Sequence, residues 1–256
     1  MDVVFVGAGR LATNLAQALR DAGHQITAVY SRTMESASAL SVRVGGVPTN
    51  NIEALPLEAD VFILSVKDSV LPAVIERLHI GREGQTFLHT AGSIPMSVFG
   101  SHQHCGVLYP MQTFSKEKKV DFSRVHIFIE GVDASTFRLT QALALSISHN
   151  VHEFTSDERR YLHLSAVFAC NFANHCFALS SKILEAHGLS FDVMLPLIRE
   201  TAEKVETMHP RDAQTGPAIR WDENVMAAQK ALLADEPDMQ QIYEIMSRSI
   251  HTLAND

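Results

Sequence analysis

The sequence predicts an α/β protein in which a doubly wound, mostly parallel sheet is followed by an all-α region. The chain opens on an apolar run, Val3 to Val6, which leads through a glycine-rich turn into a helical pattern and a second β-rich run. Apolar strand patterns then alternate with helical patterns up to about residue 154. Only helical patterns follow. We therefore predict an α/β domain over residues 1–154 and a helical domain over residues 155–256.

The first turn predicts a bound dinucleotide. Gly7 permits a tight turn, Gly9 lets the backbone approach a pyrophosphate, and the small Ala12 lets the helix pack closely on the strand. The helix N-terminus offers free N–H groups to phosphates. A merely structural turn is the less favoured alternative, because the turn lies between a strand and a helix of a Rossmann-type unit. The predicted cofactor-binding residues of this turn are Gly7, Ala8, Gly9, Arg10, Leu11 and Ala12.

The end of the second strand predicts NADP(H) rather than NAD(H). NAD-preferring sites usually place a carboxylate there, and this chain has Ser31, Arg32 and Thr33 instead. Arg32 can bind a 2′-phosphate with paired hydrogen bonds, and the hydroxyls of Ser31 and Thr33 can donate further hydrogen bonds to it. The alternative is that Arg32 is an ordinary surface residue and that Ser31 or Thr33 caps the next helix.

Later strands also end in small or polar residues, at the sheet edge where such folds bind ligands. Ordinary loop chemistry is the alternative explanation. These turns supply the predicted cofactor-lining residues Ser65, Val66, Thr90, Gly92 and Ser93, and the predicted substrate-binding residue Gln112.

The helical region opens on a capping box at Thr155, and its first helix is predicted from about Ser156 to His187. This helix is apolar nearly all round, so it must be buried on every side. A domain of about 100 residues can hardly enclose it alone, which predicts a homodimer through the helical domain. The alternative is that the helix fills the seam between the two domains of one chain.

Three polar residues interrupt that apolar helix within an 80° arc on an ideal α-helix: His163, Asn171 and Asn174. We predict His163 and Asn171 as catalytic and Asn174 as substrate-binding. His163 can supply the proton that a ketone or imine reduction needs. For any single residue, a structural network between helices or a dimer contact is the favoured alternative.

A turn around residues 213–222 predicts a second part of the substrate site. Gln214, Thr215 and Gly216 precede a helix that opens at Pro217, where a substrate carboxylate or phosphate could bind with help from Arg220. Capping by Thr215 is the structural alternative. We expect Asp222 to pair with Arg220 or another cation.

Composition limits the possible partners. The chain has 256 residues, 46% hydrophobic and 20% charged, as in ordinary soluble proteins. The net charge of −8 argues against nucleic acid or an anionic membrane surface, and we see no apolar stretch of spanning length. Three cysteines are too few for a disulfide framework, which predicts a reducing cytoplasm. No histidine pair has a convincing metal-ligand spacing, so no metal is expected.

Six segments carry the most specific motifs of the chain: VFVGAGRLA (4–12), HTAGS (89–93), YPMQTFS (109–115), RRYLHLSAVFACNFANH (159–175), LPLIRETAEKV (195–205) and AQTGPAIRWD (213–222). Together they resemble a bacterial family that joins a Rossmann-like domain to a helical "domain of unknown function 2520". The chain is more distantly similar to pyrroline-5-carboxylate reductase and to deazaflavin-linked NADP oxidoreductases. In that reductase a threonine-containing turn binds substrate near the dimer seam, which by resemblance implies Thr215 and Gly216. The reductase's Ser-Pro-Gly-Gly-Thr-Thr run is missing, so proline biosynthesis is not implied.

The sequence thus predicts a cytoplasmic, homodimeric oxidoreductase. It would move a hydride between NADP(H) and a small polar, anionic keto or imino substrate. The alternative is a non-catalytic NADP-binding sensor that acts through its helical domain.

Overall fold

The computed structural model describes residues 1–255 and contains two compact units, Met1–Cys170 and the residues from Asn171 onward. The sheet lies wholly in the first unit. No strand is assigned after Glu153 in the described chain, where the sequence predicts the change to helices.

The first unit is built on one eight-stranded sheet in the order β3-β2-β1-β4-β5-β6-β7-β8. Only β6 and β7 pair antiparallel. This mostly parallel sheet confirms the predicted α/β fold. Its strands are β1 (Asp2–Val6), β2 (Gln25–Tyr30), β3 (Val47–Thr49), β4 (Val61–Leu64), β5 (Phe87–His89), β6 (Cys105–Met111), β7 (His126–Gly131) and β8 (Val151–Glu153).

Helices cover both faces of the sheet, and β1 shows why. Val3 and Phe5 belong to one buried cluster, whereas Val4 and Val6 belong to another, because successive side chains of a strand point to opposite faces. An apolar run without polar alternation is therefore what a strand buried on both faces requires. The first cluster includes α1 (Arg10–Asp21), α2 (Met34–Val44) and α4 (Ala134–Leu145), and the second includes α3 (Leu71–His79).

After β8 the chain enters a helical stretch of 31 residues, Ser156–Ala186. It consists of α5 (Ser156–Ala166), a π-helical segment (Val167–Phe172) and α6 (Ala173–Ala186). The predicted capping box is present at its start, because the Thr155 side chain accepts from the backbone N–H of Glu158 and the Glu158 carboxylate accepts from that of Thr155.

This stretch corrects one expectation from the sequence. We expected no apolar stretch of spanning length, whereas this helical stretch is long and apolar enough to cross a membrane by length and composition alone. A core helix of a soluble protein can pass the same test.

The second unit contains helices only in its described residues. Five of its side chains are buried: Leu184, Ala218, Leu233, Met239 and Ser247. After α6 its helices are α7 (Leu195–Thr207), α8 (Pro210–Ala213), α9 (Pro217–Arg220), α10 (Glu223–Ala231) and α11 (Pro237–Asn255).

Candidate functional site

The turn between β1 and α1 has the geometry that a dinucleotide phosphate needs. Gly7 has a φ of +120°, and a Cβ atom there would lie 2.1 Å from the carbonyl oxygen of Ser65. No other residue fits, because the backbone conformation and the adjacent chain both exclude a side chain. The backbone N–H of Gly7 donates to the carbonyl of Tyr30 at 2.8 Å, which fixes the turn over β2.

The start of α1 is open and uncapped. A Cβ atom on Gly9, the residue that precedes the helix, would meet no atom within 4 Å. No side chain caps the helix, and its first turn carries no acid. Ala12 is completely buried, so its small size does serve the packing of helix on strand. A helix with free first-turn N–H groups and open space before it fits a pyrophosphate.

Two arginines near this turn are available for phosphate. Arg10 and Arg32 are exposed, and neither guanidinium has a hydrogen-bond or ion-pair partner within residues 1–255. The Thr33 side chain caps α2 by accepting from the N–H of Ser36. Capping of the next helix was the structural alternative to a cofactor-binding role for this residue. Ser31 is half-buried, and its backbone N–H donates to Thr49.

The loops after β4 and β5 are tied together. The Ser93 hydroxyl donates to the Asp68 carboxylate at 2.7 Å, a partner that the sequence did not suggest. Thr90 is buried, and its hydroxyl lies 3.5 Å from the carbonyl of Leu64. The backbone N–H of Ser65 donates to the carbonyl of Val6, so Ser65 extends the pairing of β4 with β1. Val66 follows it and is half-buried. These predicted lining residues therefore stand at the carboxyl ends of two neighbouring parallel strands.

His163 reaches this edge from α5. Its Nδ1 atom lies 3.0 Å from the Tyr109 hydroxyl at the end of β6, and the two rings meet edge to face at 6.0 Å. Gly92 is packed beneath both rings. A Cβ atom there would lie 2.5 Å from Nδ1 of His163 and 2.8 Å from Cζ of Tyr109. The missing side chain of Gly92 thus makes room for the imidazole.

A buried ion pair holds α5 against this edge. The Arg159 side chain is 1% exposed and donates to the Glu130 carboxylate at 2.6 Å and to the Ile94 carbonyl at 2.7 Å. Ser156 donates to the same carboxylate and accepts from the N–H of Met96. The network therefore joins β7, α5 and the loop after β5. Sequence reasoning missed it, although an arginine one turn before the apolar Leu162 was a usable signal.

His89, the last residue of β5, is completely buried. Burial lowers its pKa to about 3, with a smaller contribution from the charge of Arg159. Its Nδ1 accepts from the N–H of Ala91, which requires the neutral ring and shapes the turn that contains Gly92.

The segment after β6 returns to α1. The Asn14 amide is buried, donates to the Ser115 carbonyl at 2.7 Å and accepts from the N–H of Val120 at 3.2 Å. Gln112, a predicted substrate residue, is exposed and accepts from the N–H of Thr113. Asn14 was not predicted; a polar residue on the buried face of an amphipathic helix is the signal that could have revealed it.

The remaining predicted residues lie in the second unit. Asn171 falls in the π-helical segment, a rare geometry that is frequent at functional sites. Because a π turn holds more residues than an α turn, the 100° spacing behind the predicted arc does not hold across this segment. Asn174 is exposed on α6.

The 213–222 turn differs from its prediction in two respects, and the capping alternative for Thr215 is also wrong. The helix at Pro217 ends at Arg220, so a single turn replaces the expected N-terminal anion site. Gly216, with a φ of +106°, precedes that helix, and Thr215 does not cap it. Asp222 caps α10 by accepting from Val225 and forms no ion pair in the described chain. The Gln214 side-chain amide donates to the backbone carbonyl of Thr215. The side chains of Thr215 and Arg220 are both exposed.

Fold and turn together define a Rossmann-like protein with an appended helical region. The model of the Rossmann-like domain matches residues 1–112, and that of DUF2520, a domain of unknown function, matches residues 125–250. The chain is 48% identical to a Bacteroides fragilis protein assigned as an NADP oxidoreductase, over 98% of both chains with a TM-score of 0.95. The chain therefore belongs to this family of Rossmann-like proteins with a DUF2520 domain.

More distant structures share the fold alone. An imine reductase from Myxococcus stipitatus in complex with NADP+ is 13% identical, over 100% of this chain and 93% of that one, with a TM-score of 0.67. Prephenate dehydrogenase from A. aeolicus, solved with NAD+, is 15% identical, over 99% of this chain and 93% of that one, with a TM-score of 0.60. No curated protein matches the sequence at a significant level.

Proposed function

We propose that this protein is an NADP(H)-dependent oxidoreductase that moves a hydride to or from a small, anionic keto or imino compound. The observation that carries the proposal is the uncapped start of α1, with open space at Gly9 and unpaired arginines at positions 10 and 32. The 48% identical relative, assigned as an NADP oxidoreductase, supports the same reading. The bound cofactor would supply the hydride, and the chain's own residues would bind, orient and protonate the substrate.

The first test is a fluorescence titration with NADPH and, separately, with NADH. We expect micromolar binding of NADPH and much weaker binding of NADH. Gly9→Ala should weaken NADPH binding at least about tenfold, because the new methyl group occupies the space where the phosphates approach. Its backbone, with a φ of −77°, accepts alanine without strain. Gly84→Ala, at an equally open position, is the matched control and should bind normally.

Two outcomes would contradict this proposal. If the wild type binds neither nucleotide, the turn is a scaffold without a cofactor. If NADPH binds tightly but no 2-oxo acid or cyclic imine is reduced, the non-catalytic sensor becomes the better account.

We infer that Thr215 and Arg220 bind the anionic group of the substrate. Both are exposed, and neither side chain has a hydrogen-bond partner in residues 1–255. Arg220→Ala should raise KM for an anionic substrate with little change for a neutral analogue, because only the former loses a charge-assisted hydrogen bond. An equal change for both substrates would remove this role.

We also propose that a second copy of the chain covers the helical unit. Only five buried side chains in the 85 residues from 171 to 255 are too few for an independent core. Many of the remaining apolar side chains in this region are exposed, and exposed apolar surface is a feature of protein interfaces. Light scattering after size exclusion should give the dimer mass, and a monomer at micromolar concentration would refute the idea. Exposed apolar residues of this region include Phe177, Ile183, Leu189, Val193, Leu195, Leu197 and Val205.

Finally, we propose a cytoplasmic location. All three cysteines are free thiols in the structure, in keeping with a reducing compartment. Cell fractionation should recover the protein with cytoplasmic markers, and recovery with periplasmic or membrane markers would contradict this location.

A further inference from the structure

Two ring side chains and a glycine form a compact arrangement at the end of β5 and β6. The Tyr109 hydroxyl lies 3.0 Å from Nδ1 of His163. Nε2 of the same imidazole has no hydrogen-bond partner among residues 1–255, and the ring is half-buried. The two nitrogens therefore differ: one is committed to the protein, and the other is free for a ligand.

We propose that Tyr109 is the positioning residue for His163, so that Nε2 alone exchanges a proton with the substrate. This inference rests on the proposed oxidoreductase function. It also assigns a role to Gly92, whose missing side chain lets the imidazole lie against the turn after β5.

The hydroxyl suits this role because it can serve both charge states of the imidazole. It donates to Nδ1 when the neutral ring carries its proton on Nε2, and by rotation of the O–H bond it accepts from Nδ1–H when the ring is protonated or has just given up its Nε2 proton. A carboxylate could only accept, and an ammonium group could only donate. Burial raises the pKa of Tyr109, against a smaller opposing effect of the Arg159 charge, so the phenol keeps its proton near neutral pH.

The proton transfer balances as follows for reduction of a C=O or C=N bond. Bound NADPH supplies a hydride, two electrons and one hydrogen, to the carbon. The π electron pair moves onto the oxygen or nitrogen, which takes the proton from Nε2 of protonated His163. His163 is left neutral with its remaining proton on Nδ1, which still donates to the Tyr109 oxygen. Water then returns a proton to Nε2, and oxidation follows the same path in reverse.

The first measurement does not need a substrate. In ¹⁵N spectra of histidine-labelled protein, neutral His163 should show the tautomer protonated at Nε2. Tyr109→Phe keeps the ring but removes the donor, so the tautomer ratio should change about 2- to 10-fold, the value of one hydrogen bond. Tyr243→Phe, which removes a hydroxyl bonded to Gln229 instead, is the matched control. An unchanged tautomer in Tyr109→Phe would overturn the proposal.

A second spectroscopic measurement tests whether His163 faces the cofactor. The oxidised nicotinamide carries a positive charge that the reduced ring lacks. The ¹⁵N signals of His163 should therefore differ between the NADP+ and NADPH complexes, whereas those of His104, which precedes β6 at the amino end of that strand, should not. Identical His163 signals in the two complexes would overturn its role as the proton-transfer group.

The activity measurement is a double-mutant cycle in NADPH oxidation with 2-oxo acids and cyclic imines. Tyr109→Phe should lower kcat in the wild-type background and have no further effect in His163→Ala, because Tyr109 acts through His163. Equal losses in both backgrounds, or full activity of His163→Ala, would overturn the proposal. Failure of the wild type to bind NADPH would refute the proposed function instead, while the tautomer measurement would still decide whether the pair exists.

Discussion

Replacing Arg159 by methionine should destabilise the first unit through the charge it leaves behind. The Arg159 side chain is 1% exposed and that of Glu130 is 18% exposed, and they are joined at 2.6 Å. Methionine preserves most of the apolar stem but removes three hydrogen bonds, to Glu130, Ile94 and Ser156. The Glu130 carboxylate would then keep only the Ser156 hydroxyl at 2.7 Å.

Breaking a buried pair costs about 3–5 kcal/mol, and the partial exposure of Glu130 favours the lower end, about 3 kcal/mol. For a chain of this size each kcal/mol lowers Tm by about 2–4 °C, so we expect a decrease of about 6–12 °C. The assay is thermal and urea unfolding of the full chain at pH 7.

The neighbouring Arg160 provides a matched control. Its side chain is 54% exposed and pairs with Asp157 one turn away, so Arg160→Met should change the free energy of unfolding by less than about 0.5 kcal/mol. Adding Glu130→Gln to Arg159→Met should restore at least half of the lost stability, because no unpaired charge then remains. If the double variant is no more stable than Arg159→Met, the buried charge is not the cause and the reasoning is wrong.

Three further predictions concern the predicted cofactor-binding turn and the strands around it. Arg32→Ala should weaken NADPH binding about 10- to 100-fold and leave NADH binding within about twofold, because only NADPH has the 2′-phosphate. The control variant is Arg138→Ala, at an exposed position on α4, which should change the binding of neither nucleotide. His89 has a folded-state pKa of about 3, below its unfolded value of about 6.5, so the unfolded chain binds the proton first and stability falls as pH drops from 6.5 towards 3. His89→Phe should remove about 1.4 kcal/mol per pH unit of that dependence, and an unchanged slope of unfolding free energy against pH would contradict the assignment. Gly7→Ala should give unstable or insoluble protein, whereas a stable variant with normal Tm would show that the turn tolerates a Cβ.

The sequence predicted the fold because its signals are local. The run from Val3 to Val6, the turn from Gly7 to Ala12 and the capping box at Thr155 each act over a few residues, and the structure has all three. The mostly parallel sheet follows from the alternation of such segments.

The candidate site was less accessible because its pairs are distant along the chain. Tyr109 and His163 are 54 residues apart, and Glu130 and Arg159 are 29 apart. No periodicity links such residues, so His163 could be singled out but its partner could not. At Pro217 the local residue types were misleading. They predicted a helix whose N-terminus binds an anion, whereas the helix ends after one turn at Arg220.

The turn after β5 explains why these separate contacts belong to one site. Within six residues it contributes Gly92 to the space under His163, Ser93 to the bond with Asp68, and Ile94 to the buried Arg159. A small displacement of this turn would therefore change the position of the imidazole and the loop after β4 together. Such coupling gives hydride transfer the fixed geometry it requires, since misplacement by about 1 Å can cost 100-fold in rate. It follows that variants of Arg159 should lower activity more than their loss of stability alone explains, and activity measured well below the Tm of each variant would separate the two effects.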